Sequence, residues 1–180
     1  MASLSDLRGQ DLAQIAEYHN DVIEALASFF GNWKTLGVAR YIGSTPAEMR
    51  DILATRLEET ALRSALEVIS AIEAAFRVDY LIRSVKRKKE PLSRDFRQLY
   101  KAKQGKVRLN EEILERWLSH HSDITGLKAL VGELRGALRF RHWLAHGRYW
   151  QPARWGRKYD YDGVSILAEL IFETFPLYRN

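Results

Sequence analysis

Apolar residues recur at steps of three and four along most of the chain, the spacing that lines one face of an α-helix. From about Leu4 to Phe30 the stripe is built by Leu12, Ile15, Ala16, Val22, Ile23, Leu26 and Phe30, and Gly31, Gly37 and Gly43 then interrupt it. Ser44-Thr45-Pro46 predicts the start of a long second helix: a capping hydroxyl, a proline in the first turn, and Glu48 where the helix dipole favours an acid. Ile52, Leu62, Leu66, Ile69, Phe76 and Tyr80 carry that helix toward Ser84, and the basic run at 83–89 ends it before Pro91.

Shorter helices are predicted over 93–103, stopping at Gly105, and over 110–120, with Asn110 as cap. A further helix starts near Ser122 or Asp123 and reaches about His146, where Gly147 is placed as a C-terminal stop. Residues 148–162 are aromatic, basic and irregular, and a last helix covers 164–174, with Asp162 or Gly163 near its cap and Pro176 beyond its end. No alternating strand pattern of any length and no internal repeat is visible. The expectation is an all-α bundle with a long second helix and an irregular segment before the last one, in a single domain over 1–180.

Composition narrows the chemistry. At 46% hydrophobic and 28% charged the chain is too apolar for a disordered one. With no cysteine, it has no disulfide framework, no thiol nucleophile and no Cys-ligated metal. No apolar run approaches the ~20 residues of a membrane span, and the start Met-Ala-Ser-Leu-Ser-Asp lacks secretory features, so a cytoplasmic protein without membrane contact is expected. Phosphate-cradling Gly-rich loops, dinucleotide fingerprints and serine nucleophile elbows are missing as well.

Lys and Arg number 28 against 23 acids, a modest preference for an anionic partner, but the charge is not evenly spread. Between Arg135 and Lys158 stand seven Lys and Arg residues and no acid, interleaved with Phe140, Trp143, Tyr149, Trp150 and Trp155. Cations neutralise phosphates and aromatic faces stack on unpaired bases. That makes RNA the expected partner, with Arg139, Arg148, Tyr149, Trp150 and Trp155 as contacts. The alternative is that the tryptophans are core and the arginines a solvated face. Gly132 and Gly136 lie in the same helix at about 1 kcal/mol each against Ala, which predicts close approach of another helix, within the chain or across a dimer.

The segment Arg141-His142-Trp143-Leu144-Ala145-His146 resembles the Arg-x4-6-His motif of the HEPN superfamily, and Ala145-His146-Gly147 matches a frequent form of it. The resemblance implies an all-α domain and a homodimer whose paired motifs build one cleft. It further implies metal-independent cleavage of single-stranded RNA without a cofactor, in a toxin or antiphage setting with an antitoxin or fused regulatory partner. Other members of the superfamily are non-catalytic binding modules, the alternative class for this chain. In members silenced by a partner nucleotidyltransferase, the modified Tyr stands two residues after the motif His. Here position 148 is Arg and Tyr149 is three residues on, which sets the chain apart from that mode.

Elementary chemistry runs the same way. Metal-free RNA cleavage needs proton transfer at the 2′-hydroxyl and at the leaving oxygen, and charge stabilisation at the phosphate. His146 suits the first role, at a helix C-terminus whose dipole favours imidazolium. Arg141 suits the second through its planar fork, with His142 as a polar assistant. Residues five apart on a helix are separated by about 140° around its axis, so one Arg–His pair does not converge and a facing copy completes the set. Glu73 interrupts an apolar seam on the second helix, where a carboxylate needs a partner. It either orients Arg141 or His146, or pairs structurally with an arginine such as Arg139; Asp79 is a second candidate. His142 and His146, four apart, share a face in the manner of metal ligands, but no acidic third ligand stands near and no metal is expected. His120 and His121 are read as the end of a surface helix. The basic run at 83–89 is either a second phosphate-tracking surface or a solvated helix end.

Overall fold

The computed structural model describes residues 11–86, 88–103, 106–147 and 159–178. The chain opens with α1 (Leu12–Gly31), capped by Asp11, whose carboxylate accepts the Ala13 N–H at 2.9 Å. A single turn, α2 (Trp33–Leu36), and a 3-10 turn (Ala39–Tyr41) follow. The 40-residue α3 (Pro46–Val85) is about 60 Å long at 1.5 Å per residue. Its start is a reciprocal capping box: the Glu48 N–H donates to Thr45 Oγ1 at 3.3 Å, and Glu48 Oε2 accepts the Thr45 N–H at 2.7 Å. These bonds hold the Glu48 carboxyl below the usual carboxylate range. Then come α4 (Pro91–Lys103), a π turn (Leu109–Ile113), α5 (Leu114–His120), α6 (Leu127–Ala145) and α7 (Tyr161–Thr174). Among the described residues there is no strand, and the fold is all-α as the apolar spacing requires.

Five predicted starts move: the first helix begins at Leu12 rather than about Leu4, with Asp11 as its cap, and α4 begins at Pro91 rather than Ser93. The helix over 110–120 is not capped by Asn110. The chain winds a π turn from Leu109, and Glu112 accepts the Arg108 N–H at 2.7 Å, satisfying a donor the cap would have served. The next helix begins at Leu127 rather than near Ser122, because Gly126 takes a left-handed φ of 82° that breaks the path. The last begins at Tyr161, with Asp160 and not Asp162 or Gly163 as cap, its carboxylate accepting the Gly163 N–H at 2.9 Å.

The C-terminal half of α3 is the axis of the bundle, with α1, α4, α6 and α7 packed around it. Phe76, Phe96, Trp117, Phe140, Leu134 and Ile171 are fully enclosed there, and Phe175 meets both Phe76 and Trp117 edge-on at ring-centroid distances of 5.0 and 5.3 Å. A separate cluster of Phe30, Tyr41 and Met49 packs the first turns of α3 against the end of α1. Between α1, α3 and α7 the buried His19 stacks on Tyr161 at 3.7 Å, with its Nδ1 2.9 Å from Ser64 Oγ. Burial pushes the His19 imidazole below its ordinary range, with Asp162 pulling the other way. No helix among the described residues is long and apolar enough to cross a membrane.

A buried polar network closes one end of the bundle. Asp79, 0% exposed, accepts both Arg83 Nε (2.8 and 3.0 Å) and the Tyr178 N–H (2.9 Å). Arg83, 5% exposed, also donates to Glu90 Oε2 at 2.6 Å and to the Pro176 carbonyl at 2.9 Å, between the rings of Trp117 and Tyr178. Asp79 is therefore a structural carboxylate rather than a site residue. The basic run does not form one solvated face: Arg83 is internal and Lys88 lies over the Tyr178 ring.

The paired glycines of α6 separate in role. A Cβ at Gly136 would stand 1.9 Å from the Tyr159 hydroxyl, so the close approach is made by a side chain just before α7, not by a neighbouring helix. A Cβ at Gly132 meets nothing within 4 Å. Gly136→Ala is expected to destabilise the fold by about 1–3 kcal/mol through overpacking, whereas Gly132→Ala stabilises it by about 0.5–1 kcal/mol through helix propensity. Urea midpoints moving in the same direction for both variants would refute this division.

Candidate functional site

The motif helix ends as a glycine-stopped helix should. Ala145 is its last residue, His146 is the C-cap (φ −101°, ψ 25°) with its N–H donated to the His142 carbonyl at 3.1 Å, and Gly147 takes the left-handed φ of 85°. This geometry places His146 on an exposed helix terminus with its ring 4.1 Å from that of His142, the planes inclined by 49°. Both imidazoles face solvent. No group of three or more His, Asp or Glu that could hold a metal ion occurs among the described residues.

Arg141 turns the other way, toward α3. Its side chain is 38% exposed, and its Nη1 lies 3.6 Å from Glu73 Oε2. That is an ionic contact too long for a hydrogen bond. The other oxygen of Glu73 binds Arg77 at 2.8 and 2.9 Å, an i,i+4 pair on α3. Glu73, 18% exposed, thus stands between two guanidinium groups and holds the nearer one. The apolar seam tolerates this carboxylate because two cations from two helices meet it there. Among the described residues Arg141 Nε is enclosed without a hydrogen-bond partner, so packing and the ionic contact with Glu73 place the guanidinium without a full set of acceptors.

Arg141 and His142 line one wall of a cleft of about 580 Å³. Glu73 and Arg77 form its α3 side, Arg139 and Leu138 continue the α6 side, and residues 107–111 close it from the π turn. His146 is one turn further along α6 and does not line the cleft. The motif residues are therefore divided within one chain, Arg141 and His142 in the cleft lining and His146 one turn beyond it. Trp143 is half-buried and stacks on the enclosed Phe140 at 5.5 Å, so it belongs to the packing. Arg148, Tyr149, Trp150 and Trp155, the expected aromatic and basic RNA contacts, lie outside the described residues.

Two residues of the site were not singled out from the sequence. Arg77 and Arg108 both reach the cleft, and the second comes from a segment with a readable signal: Lys106-Val107-Arg108-Leu109-Asn110 alternates exposed and buried like a strand. Arg135, the first cation of the basic segment, is structural. It donates to the Asn110 carbonyl at 2.9 Å and to Glu115 at 2.5 Å, clamping the π turn onto α6. Compared with protein-family models, with curated proteins and with solved structures, the chain matches none of them.

Proposed function

We propose that the chain is a metal-independent endoribonuclease of HEPN type that cuts single-stranded RNA as a homodimer, in a toxin or antiphage role. The observation that carries the reading is the end of α6, where a loosely held Arg141 in a cationic cleft stands beside two solvent-facing imidazoles one turn apart. Arg141 binds a non-bridging oxygen of the scissile phosphate. His146 transfers protons and His142 assists it. The RNA 2′-oxygen loses its proton to a base and bonds to phosphorus. The bond from phosphorus to the 5′-oxygen breaks, and that oxygen takes a proton from an acid. The products are a 2′,3′-cyclic phosphate and a 5′-hydroxyl, with no co-reactant consumed. A second copy across a two-fold axis supplies the His146 that one chain cannot bring beside its own Arg141. Arg139 from the cleft wall and, from the sequence, Arg148, Tyr149, Trp150 and Trp155 hold the strand; an antitoxin or fused partner restrains the activity.

A non-catalytic RNA-binding module is the competing reading, and the absence of His146 from the cleft lining favours it. The discriminating experiment incubates purified protein with single-stranded oligonucleotides in excess EDTA. Cleavage to cyclic-phosphate ends by the wild type, and none by Arg141→Ala/His146→Ala, is the expected result. Binding without cleavage at any protein concentration would select the binding module instead.

A further inference from the structure

The cleft at Arg141 does not end at the π turn. A second cleft of about 740 Å³ lies on the other side of that turn and shares Arg108 and Glu111 with the first. The second is walled by Lys103, Lys106 and Glu112. Along the joined path run six cations, from Arg139 and Arg141 through Arg77 and Arg108 to Lys106 and Lys103, against the three acids Glu73, Glu111 and Glu112. The ridge between the clefts is the alternating segment 106–110. Val107 and Leu109 are buried and anchor it, so Lys106, Arg108 and Asn110 are all turned outward. The extended backbone at Arg108 (φ −89°, ψ 128°) keeps that alternation up to the π turn, which Arg135 fixes in place.

We infer that this ridge is a strand-guiding surface: single-stranded RNA leaves the cleft at Arg141 and crosses Arg108 and Lys106 toward the end of α4. The inference rests on the ribonuclease reading for the identity of the ligand, and it moves the phosphate-tracking role away from the basic run at 83–89. There the buried cation, Arg83, has its donors taken by Asp79, Glu90 and Pro176. On the ridge, Arg108 is 74% exposed and pairs with Glu111, itself 62% exposed, at 2.7 Å. A phosphate displaces such a surface pair at little cost. A row of cations set on a rigid turn neutralises a backbone without reading its sequence, the pattern of non-specific single-strand binding.

The test measures affinity for a 2′-O-methyl oligonucleotide, which binds but cannot be cut because its attacking hydroxyl is blocked. Fluorescence anisotropy is recorded over a salt series for three proteins: the wild type, Lys106→Glu/Arg108→Glu, and Lys86→Glu/Lys89→Glu, whose residues are exposed on the other basic run. The ridge variant is expected to lose at least tenfold in affinity and to flatten the salt slope by roughly 0.7 for each phosphate contact removed, while the control changes little. Lys106→Gln/Arg108→Gln should fall between ridge variant and wild type, with helical circular dichroism unchanged throughout. Wild-type affinity in the ridge variant would overturn the surface, as would equal losses in ridge and control variants, or a wild type that does not bind the oligonucleotide. Cleavage of unmodified RNA in EDTA is scored separately, so the ridge can fail while the ribonuclease reading stands, and the reverse.

Discussion

His146→Ala should lower single-strand cleavage by about 10²–10⁴-fold, the usual contribution of a positioned proton-transfer group, without changing the fold. His146 is exposed, lies beyond the last helical residue, and among the described residues its ring meets that of His142. Arg141→Ala should cost about 10²–10³-fold through lost charge stabilisation at the phosphate. Glu73→Gln makes the finer test, because Glu73 is a positioning residue that reaches the chemistry through Arg141. Removing its charge leaves the cleft more cationic, so affinity for an uncleavable oligonucleotide should rise. The guanidinium also loses its counter-ion and its aim, so the maximal rate should fall by about ten- to a hundredfold. A merely structural Glu73 would move neither quantity in that opposed fashion. Mixing Arg141→Ala with His146→Ala protomers tests the composite cleft: partial recovery is expected, since each mixed dimer keeps one intact pair. Full activity in His146→Ala alone would end the assignment of that residue.

The sequence carried the bundle well because helix formation is local. The three-and-four spacing and the Thr45-Pro46-Glu48 and Gly147 punctuation name the end of α1, all of α3 and the end of α6 to within a few residues. What it misplaced are starts settled by competing donors. Nothing in the pattern says that Glu112 will satisfy the Arg108 N–H and admit a π turn, or that Asp160 will bind Gly163 before Asp162 can act as cap. Glu73 was legible as a carboxylate in an apolar seam with Arg141 among its candidate partners, and the two meet although almost seventy residues separate them; Arg77, one turn along the same helix, was not foreseen. Asp79 was misread for the complementary reason. Its partners are Arg83 on its own helix and the backbone of a C-terminal segment that no periodicity connects to α3. Cations are the least legible class: Arg83, Arg135 and Arg108 look alike in a list of basic residues, and only packing separates an internal clamp from an open ridge.

The largest stability effect is expected at that internal clamp. Asp79→Ala should destabilise the fold by about 3–5 kcal/mol, because it takes away the enclosed counter-ion of Arg83 and leaves the buried Nε without its acceptor, Glu90 and the Pro176 carbonyl serving only the outer nitrogens. The Tyr178 N–H loses its acceptor at the same stroke, which loosens the segment carrying Phe175 into the core. Burial pushes the Asp79 carboxyl above its ordinary range, with the Tyr178 N–H and Arg83 pulling the other way, and taking two charges out of water commonly costs as much as their attraction returns. A hydrophobic replacement of both partners should then recover most of the loss. Asp79→Leu/Arg83→Met is expected within about 1–2 kcal/mol of the wild type, with Glu90 simply re-entering solvent. Urea unfolding gives these differences as midpoint shifts at constant slope. A double variant as unstable as Asp79→Ala would mean that the ion pair itself stabilises the bundle. The same proteins separate stability from chemistry, since Glu73 lies on α3 away from the clamp and keeps its own partners. At temperatures where both variants stay folded, cleavage per folded molecule should equal that of the wild type, and a matching loss of activity would instead tie the clamp to the cleft.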